Sequence, residues 1–294
     1  MSATVGAVLA ESTHRLRMTG SPTPRLDSEV LLAHVIGRDR SWLLAHAEAG
    51  VDEEAGVAFE TALERRATGE PVAYIRGFKE WRSLRIRSDA RALIPRPETE
   101  LLAEGAIGEI AARLTHDDEP ITVWEVATGS GALAVALALR FRSALVLGRL
   151  RLIASDVSPD ALELAAENLA GHGVANLVTL ACADLLQPVG GTLPRPHVVV
   201  ANLPYVPSAE VDAGHGSLGH EPRMALDGGP DGLAILRRLL GSLPSKVARG
   251  ATVLLEIGGD QVDAIRSMAP SGALPTVVRD LAGLDRVVRL EMPD

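Results

Sequence analysis

Apolar residues recur at two different spacings along the chain of 294 residues. In residues 1–75 they recur three and four apart within VGAVLAESTHRLR, LDSEVLLAHVIG and AGVAFETALERRA, which is the period of amphipathic helices. Glycines and prolines separate the three stretches, as they commonly do between helices. The pattern predicts a small N-terminal helical domain over residues 1–75.

Residues 76–96 show a different pattern, in which single apolar positions alternate with charges. Leu84 and Ile86 are flanked by arginines, and Leu93 and Ile94 follow where IPRPETE begins. The alternation predicts a short hairpin linker across residues 76–96. The two prolines of IPRPETE predict a stiff, extended entry to the next helix.

Over residues 97–294, short apolar runs alternate with helical patterns. ITVWEVA, RLRLIASD and PHVVVAN are typical of buried strands, whereas GALAVALALRF and SPDALELAAENLA have helical periodicity. This alternation predicts an α/β fold with a doubly wound, mostly parallel sheet. Two further strand patterns, PTVVRDLAG and DRVVRLEM, close the chain. Ligands of such sheets bind beyond the carboxyl ends of the strands.

Composition favours a globular protein without a general affinity for polyanions. The chain is 47% hydrophobic and 23% charged, and its net charge of -9 repels nucleic acid at long range. Residues 65–96 are an exception, because they hold nine lysines or arginines and three acids. Such a segment usually forms a solvated face. It could alternatively contact RNA or an acidic protein surface.

Cysteine, histidine and N-terminal patterns exclude several other classes. Cys182 is the only cysteine, so an intrachain disulfide is excluded, and we expect it to be buried at a strand end. The histidines lack paired metal-ligand spacing, so no metal site is expected. Glu11 and His14 interrupt the apolar region that a signal peptide would need, and no run approaches the roughly 20 residues that span a bilayer. A cytoplasmic protein without membrane contact is expected.

The first predicted strand ends in small residues before a helix. Backbone amides can approach a ligand closely there, at the positive end of the helix dipole. The GxGxxA pattern in this stretch is shared by proteins that bind NAD and proteins that bind S-adenosylmethionine. The candidate residues are Glu125, Ala127, Thr128, Gly129, Ser130 and Gly131.

The next two strand ends supply carboxylates. Asp156 can accept hydrogen bonds from both ribose hydroxyls of a bound nucleoside, or it can cap the helix that begins near Ser158. Asp184 stands beside Leu185, and this pair suits the exocyclic amine and the face of an adenine. Both features fit either cofactor.

The fourth strand ends in Asn202, Leu203, Pro204 and Tyr205. A planar amide or aromatic nitrogen is a poor nucleophile, because its lone pair is delocalised. The Asn202 side-chain oxygen and the Leu203 carbonyl can accept its two N–H bonds and stabilise the charge that develops on alkylation. Pro204 stiffens the turn, and Tyr205 can pack on the plane of the substrate. Hydride transfer does not need these acceptors, so this strand end favours methyl transfer.

Together with several longer blocks, these residues resemble the HemK/PrmC family, the peptide chain release factor glutamine-N(5) methyltransferases. The resemblance covers nearly the whole chain and is carried by PRLDSEVLLAHVIG, ALIPRPETE, ATGSGALAVALA, DVSPDALELAAENL, HEPRMALDGGPDGL and LLEIGGDQ. It implies a Rossmann-like class I methyltransferase domain over residues 97–294, with S-adenosylmethionine as the methyl donor. It also implies that the helical domain docks a class I release factor, whose Gly-Gly-Gln glutamine is methylated.

The resemblance implies a role for each candidate residue. Asn202, Leu203, Pro204 and Tyr205 are expected to hold the glutamine, as the catalytic set. The cofactor is expected to contact Glu125, Ala127, Thr128, Gly129, Ser130, Gly131, Asp156, Asp184, Leu185 and Asn202. Class I release factors are the expected partners of a monomeric protein, and no direct nucleic-acid substrate is expected.

Three residues depart from the family pattern, and one of them, His197, replaces a common aspartate before the fourth strand without a consequence that the sequence shows. Leu203 replaces the first proline of the usual NPPY, and NLPY-like forms also occur in rRNA adenine dimethyltransferases. Ala127 stands where glycine is common, and a positive φ there would cost roughly 1 kcal/mol. A drifted paralogue that methylates adenine, another protein or a small amide is one alternative. A non-catalytic cofactor-binding module that docks on translation proteins is another.

Overall fold

The computed structural model describes residues 3–116, 119–187, 193–214 and 219–294. The chain divides into two compact units, which are Met1–Phe78 with Gly214–His220, and Lys79–Ala213 with Glu221–Asp294. Each unit has a hydrophobic core of its own. The domain boundaries after residues 75 and 96 stay predictions.

The first unit is helical. Its helices are α1 (Val5–Met18), α2 (Pro24–Val35), α3 (Arg40–Ala45), α4 (Glu53–Ala67) and α5 (Val72–Arg76). The three helices predicted from apolar spacing are confirmed as α1, α2 and α4. Their apolar stripes pack together, with Leu16, Leu32 and Leu63 almost fully buried. Thr4 and Asp52 begin α1 and α4 by accepting a hydrogen bond from a first-turn amide, which satisfies an otherwise unpaired donor.

A buried ion pair connects α2 to the end of α4. Arg66 Nε lies 2.7 Å from Asp27 Oδ2, and both side chains are about nine-tenths buried. The hydroxyls of Ser21 and Thr23 donate to the same carboxylate. Arg66 also donates to the backbone carbonyls of Gly69 and Glu70, just after α4. The pair is therefore fully hydrogen-bonded, which is the condition for burying charge.

A two-stranded hairpin follows, formed by β1 (Phe78–Trp81) and β2 (Leu84–Arg87). Arg82 and Ser83 connect the strands with φ values of 49° and 60°, as expected for a tight hairpin turn. The predicted hairpin is confirmed, but Leu93 and Ile94 do not belong to it. They lie in a segment without regular secondary structure, because the prolines of IPRPETE prevent strand pairing.

The second unit is built on a seven-stranded sheet with the strand order β5-β4-β3-β6-β7-β9-β8. The strands are β3 (Ile121–Val126), β4 (Leu150–Asp156), β5 (Val178–Cys182), β6 (Val198–Asn202), β7 (Thr252–Glu256), β8 (Leu274–Arg279) and β9 (Asp285–Glu291). Strands β3 to β7 run parallel, β9 pairs antiparallel with β7, and β8 pairs antiparallel with β9. This confirms the predicted mostly parallel sheet and its two closing strands.

Helices cover both faces of the sheet. The helices of the second unit are α6 (Thr99–His116), α7 (Ala132–Arg140), α8 (Arg142–Val146), α9 (Pro159–Gly171), α10 (Ser208–Asp212), α11 (Arg223–Leu226), α12 (Ala234–Lys246) and α13 (Val262–Met268). Val123 and Trp124 are adjacent in β3 but belong to different hydrophobic clusters. Leu102 of α6 packs in the first cluster and Leu239 of α12 in the second. The sheet is therefore doubly wound, as predicted.

Two further expectations concern exposure and charge. Cys182 is exposed, and the expectation that it would be buried is wrong, because β5 is an edge strand with few buried positions. Six arginines of residues 65–96 form ion pairs. The positive charge of that segment is thus compensated locally.

Within the described ranges, no helix is both long enough and apolar enough to cross a bilayer.

Replacing Asp27 by alanine is expected to destabilise the protein by about 3 kcal/mol, because the Arg66 guanidinium would stay buried without its carboxylate. Chemical denaturation followed by circular dichroism measures the change. The double variant Asp27→Leu/Arg66→Met removes both charges and should recover part of the loss. An Asp27→Ala protein within about 0.5 kcal/mol of the parent would show that the pair is not stabilising.

Candidate active site

A cavity of about 850 Å³ opens at the carboxyl ends of the parallel strands. The sheet register explains its position, because Val126 pairs with Ser155 and with Ala201, so the strands end at one edge. Predicted residues from four strand ends line it, namely Glu125, Ala127, Thr128, Gly129, Ser130, Asp156, Asp184, Leu185, Asn202, Leu203 and Pro204. Gly131 and Tyr205 are not among the lining residues.

The loop between β3 and α7 depends on left-handed backbone. Gly129 and Gly131 have φ values of 55° and 76°, and Ala127 has 56°. A Cβ on Gly131 would lie 2.9 Å from the Cβ of Ala165, so only glycine fits between α7 and α9. Gly131 therefore allows the helices to pack closely. Ala127 carries the strain that its alanine was predicted to cause at a positive φ.

Asp156 performs two structural tasks at the end of β4. Its Oδ2 accepts from the Gly129 amide at 2.9 Å, and its Oδ1 accepts from the Ser158 amide at 3.0 Å. Burial raises the pKa of this carboxyl above its usual value. Each carboxylate oxygen can still accept a further hydrogen bond. Capping and ribose binding are thus compatible, and Ser158 itself caps α9 by accepting from Ala161.

Glu125 is a buried carboxyl at the end of β3, only 4% exposed. Burial raises its pKa to about 8, and the nearby Asp156 charge acts in the same direction. Within the described residues, its Oε2 has no hydrogen-bond partner. At neutral pH the group is therefore mostly protonated and can donate a hydrogen bond at the cavity wall.

Asp184 and Leu185 lie at the end of β5. Asp184 is half-exposed and accepts a hydrogen bond from Arg238 of α12, which also lines the cavity. Leu185 has a φ of 54°. It shares left-handed backbone with Ala127, and both line the cavity. Strained non-glycine residues of this kind concentrate at ligand sites.

Asn202 is the last residue of β6 and lies opposite Glu256 at the end of β7. Its Nδ2 donates to the Thr99 hydroxyl at the start of α6, at 3.2 Å. The side chain of Leu203 is buried in the core between the sheet and α12. The role of the Leu203 carbonyl stays a prediction.

Burial raises the pKa of Tyr205 to about 12, and the charge of Glu256 contributes to the shift. The phenol is therefore neutral at physiological pH. Since Tyr205 does not line the cavity, its predicted contact with the substrate plane stays a prediction.

The late block HEPRMALDGGPDGL holds the backbone of residues 204–206 in place. Val206 donates to the Leu226 carbonyl at 3.0 Å, and Gly228 donates back to Val206 at 2.8 Å. A Cβ on Gly232 would lie 2.3 Å from the Tyr205 carbonyl oxygen. The glycine-rich composition of this block signals close backbone approach, but the sequence does not show which segment approaches.

The same block also fixes the cavity wall formed by residues 90–96. Glu221 is buried and accepts from the Arg96 guanidinium at 2.6 Å and from the Ile94 amide at 3.1 Å. The indole Nε1 of Trp81 donates to the Arg96 carbonyl at 2.9 Å. Sequence reasoning did not identify these residues as part of the site, because they are far apart in the chain.

Comparison with known proteins identifies the family. Residues 7–77 match the model of the PrmC N-terminal domain. The release factor glutamine methyltransferase of Moorella thermoacetica is 38% identical over 286 residues, covering 96% of each chain. The chain belongs to the release factor glutamine methyltransferase family. The enzyme of the same name from Rhodopirellula baltica is 35% identical over 294 residues, covering 98% of this chain and 96% of its own.

Among solved structures, the hMettl16 catalytic domain in complex with an RNA hairpin has a similar fold. It superposes with a TM-score of 0.51 at 12% identity and covers 83% of each chain. The likeness supports the methyltransferase fold alone. The resemblance inferred from sequence motifs is confirmed by the full-length relatives.

Replacing Ala127 by glycine in this family member should leave stability unchanged or raise it by up to about 1 kcal/mol, because glycine removes the strain of a left-handed φ. Denaturation midpoints measure the effect. The matched control is Ala166→Gly on the exposed face of α9, which should cost about 1 kcal/mol. Equal losses in the two variants would contradict strain at Ala127.

Replacing Gly232 by alanine should destabilise the protein by about 2 kcal/mol, because the new Cβ overlaps the Tyr205 carbonyl and the φ is +70°. Gly241→Ala in α12 is the control, since nothing lies within 4 Å of its Cβ position. Thermal unfolding of both variants compares them directly. Equal melting temperatures would show that the close approach of Gly232 to the Tyr205 carbonyl does not affect stability.

Proposed function

We propose that the chain transfers a methyl group from S-adenosylmethionine to the side-chain amide nitrogen of the glutamine in the Gly-Gly-Gln motif of class I release factors. Family membership supports the reaction class. The observation that carries the proposal is the position of Asn202. It lies at the carboxyl end of β6, on the wall of the same cavity as the glycine loop and Asp156.

The cavity residues fit S-adenosylmethionine. When bound, this cofactor supplies an electrophilic methyl group on a sulfonium. Asp156 offers free acceptor positions for ribose hydroxyls, and Leu185 offers an apolar surface for the adenine. The small residues of the left-handed loop at residues 127–131 let the cofactor approach the backbone closely. Asp184 is paired with Arg238, so we propose that an adenine amine would share this carboxylate with the guanidinium.

Asn202 and Leu203 orient the acceptor nitrogen. The Asn202 side-chain oxygen and the Leu203 carbonyl accept its two N–H bonds, which directs the face of the nitrogen toward the methyl donor. The same two dipoles stabilise the positive charge that develops on the nitrogen during transfer. No dedicated base is needed beforehand, because an N-protonated amide is strongly acidic and loses its proton after transfer.

The helical domain over residues 1–75 is proposed to dock the release factor, and residues 76–96 are proposed to be the linker that follows it. The match to the PrmC N-terminal domain over residues 7–77 supports this division. The ion-paired arginines and the net charge of -9 argue against RNA as the substrate. We further propose that the protein acts as a cytoplasmic monomer.

The test incubates the protein with labelled S-adenosylmethionine and a recombinant class I release factor, and locates the methyl group by mass spectrometry. One methyl on the Gly-Gly-Gln glutamine is expected. Asn202→Ala should lower turnover about 100-fold, because one of the two oriented acceptors is lost. Its cofactor affinity should fall far less than its turnover, since Asp156 and the glycine loop are intact.

The matched control is Asn176→Ala, which changes an exposed asparagine away from the cavity. Its turnover should equal that of the parent. An equal loss of turnover and cofactor affinity in Asn202→Ala would contradict the proposed role of the amide. Cofactor binding without methylation of the factor would contradict the proposed substrate.

A further inference from the structure

Glu256 is a buried carboxyl that has no role in the reaction as proposed above. It ends β7, opposite Asn202 in the parallel register, and is only 3% exposed. Among the described residues, neither of its carboxyl oxygens has a hydrogen bond of ordinary geometry. Burying a carboxyl in this way is costly. A buried polar group of this kind calls for a functional explanation.

The groups around Glu256 come from three elements. Thr99 at the start of α6 and Asn202 at the end of β6 are polar groups that favour its ionised form. Glu98, which precedes α6, opposes ionisation, and Arg286 of β9 favours it. The charge of Glu256 also raises the pKa of Tyr205, in the segment that follows β6. Burial outweighs the favourable contacts and raises the pKa of Glu256 to about 7.

Asn202 can serve as an acceptor only if its amide has the right orientation. Rotating the amide by half a turn would present the NH₂ group to the substrate, and the acceptor would be lost. The hydrogen bond from Nδ2 to Thr99 opposes this rotation. A carboxylate next to the amide opposes it as well, because an ionised carboxylate only accepts hydrogen bonds and therefore attracts the NH₂ side.

We propose that Glu256, together with Thr99, is a positioning residue that keeps the side-chain oxygen of Asn202 turned toward the acceptor nitrogen. The inference rests on the proposed function, since it concerns the group that receives the glutamine N–H. A protonated Glu256 can donate to the Asn202 oxygen instead, and this stabilises the reversed amide. The orientation of Asn202 is therefore coupled to the charge of Glu256.

A pH dependence follows from this coupling. Turnover of the parent protein should rise as Glu256 ionises, with an inflection near its pKa of about 7. Glu256→Gln has nearly the same shape but does not titrate. We expect turnover about tenfold lower at pH 8, no inflection between pH 6 and 8, and unchanged affinity for the cofactor.

Stability distinguishes positioning from a merely structural role. A carboxyl whose pKa is raised on folding contributes stability below its unfolded pKa, and loses that contribution as the pH rises through the folded pKa. Glu256→Gln should therefore be at least as stable as the parent at pH 8. A structural role would instead give a lower melting temperature together with weaker cofactor binding.

The experiment measures methyl transfer to a recombinant class I release factor from pH 6 to 9, with cofactor affinity by calorimetry and melting temperatures in parallel. The matched control is Glu291→Gln, which removes an exposed carboxyl opposite Thr252, at the other end of β7. It should keep the turnover and the inflection of the parent. Thr99→Val should lower turnover, whereas Thr99→Ser should keep the turnover of the parent. If Glu256→Gln does not fold, equal turnover in the two Thr99 variants would overturn the positioning role.

Each outcome separates the two proposals. Absence of methyl transfer by the parent protein would overturn the proposed function and this inference with it. Methylation by the parent, combined with a Glu256→Gln protein of equal rate and equal pH profile, would overturn the inference alone. Loss of cofactor affinity in step with turnover would also overturn it, because the effect would then be structural.

Discussion

The parallel register of β3, β4, β6 and β7 is the constraint on which the rest of the site depends. Because Val126 is level with Ser155 and Ala201, and Asn202 is level with Glu256, four strands end at one edge. A slip of one residue in β6 would turn Asn202 to the opposite face of the sheet. The valines of β6 are fully buried, and helices cover both faces of the sheet around them.

The strand ends alone do not complete the cavity. Its remaining wall is held by the Arg96–Glu221 ion pair and by close backbone contacts between residues 204–206 and the late glycine block. Glu221 is buried, and each of its carboxylate oxygens accepts a hydrogen bond from residues 94–96. Long-range polar contacts of this kind connect IPRPETE to HEPRMALDGG. They explain why two separate sequence blocks behave as one structural element.

The sheet, its helices and most lining residues could be predicted because they depend on local pattern. Apolar period identifies strands and helices, and strand ends in a parallel sheet converge by topology. Gly232 and Glu256 could not be predicted, since their roles depend on Tyr205 and Asn202, which are distant in sequence. Burial of Cys182 was predicted wrongly, because a strand pattern does not show which strand lies at the edge.

The chemistry explains why this site contains backbone strain and buried carboxyl groups. Methylating an amide needs no strong base, so the protein contributes orientation and fixed dipoles. Fixed dipoles require rigid, partly dehydrated surroundings, and these same surroundings raise the pKa values of Glu125 and Glu256. The left-handed φ of Ala127 is a further local cost, in a residue that lines the cavity. The well-packed sheet on both sides is what allows these local costs to persist in a folded protein.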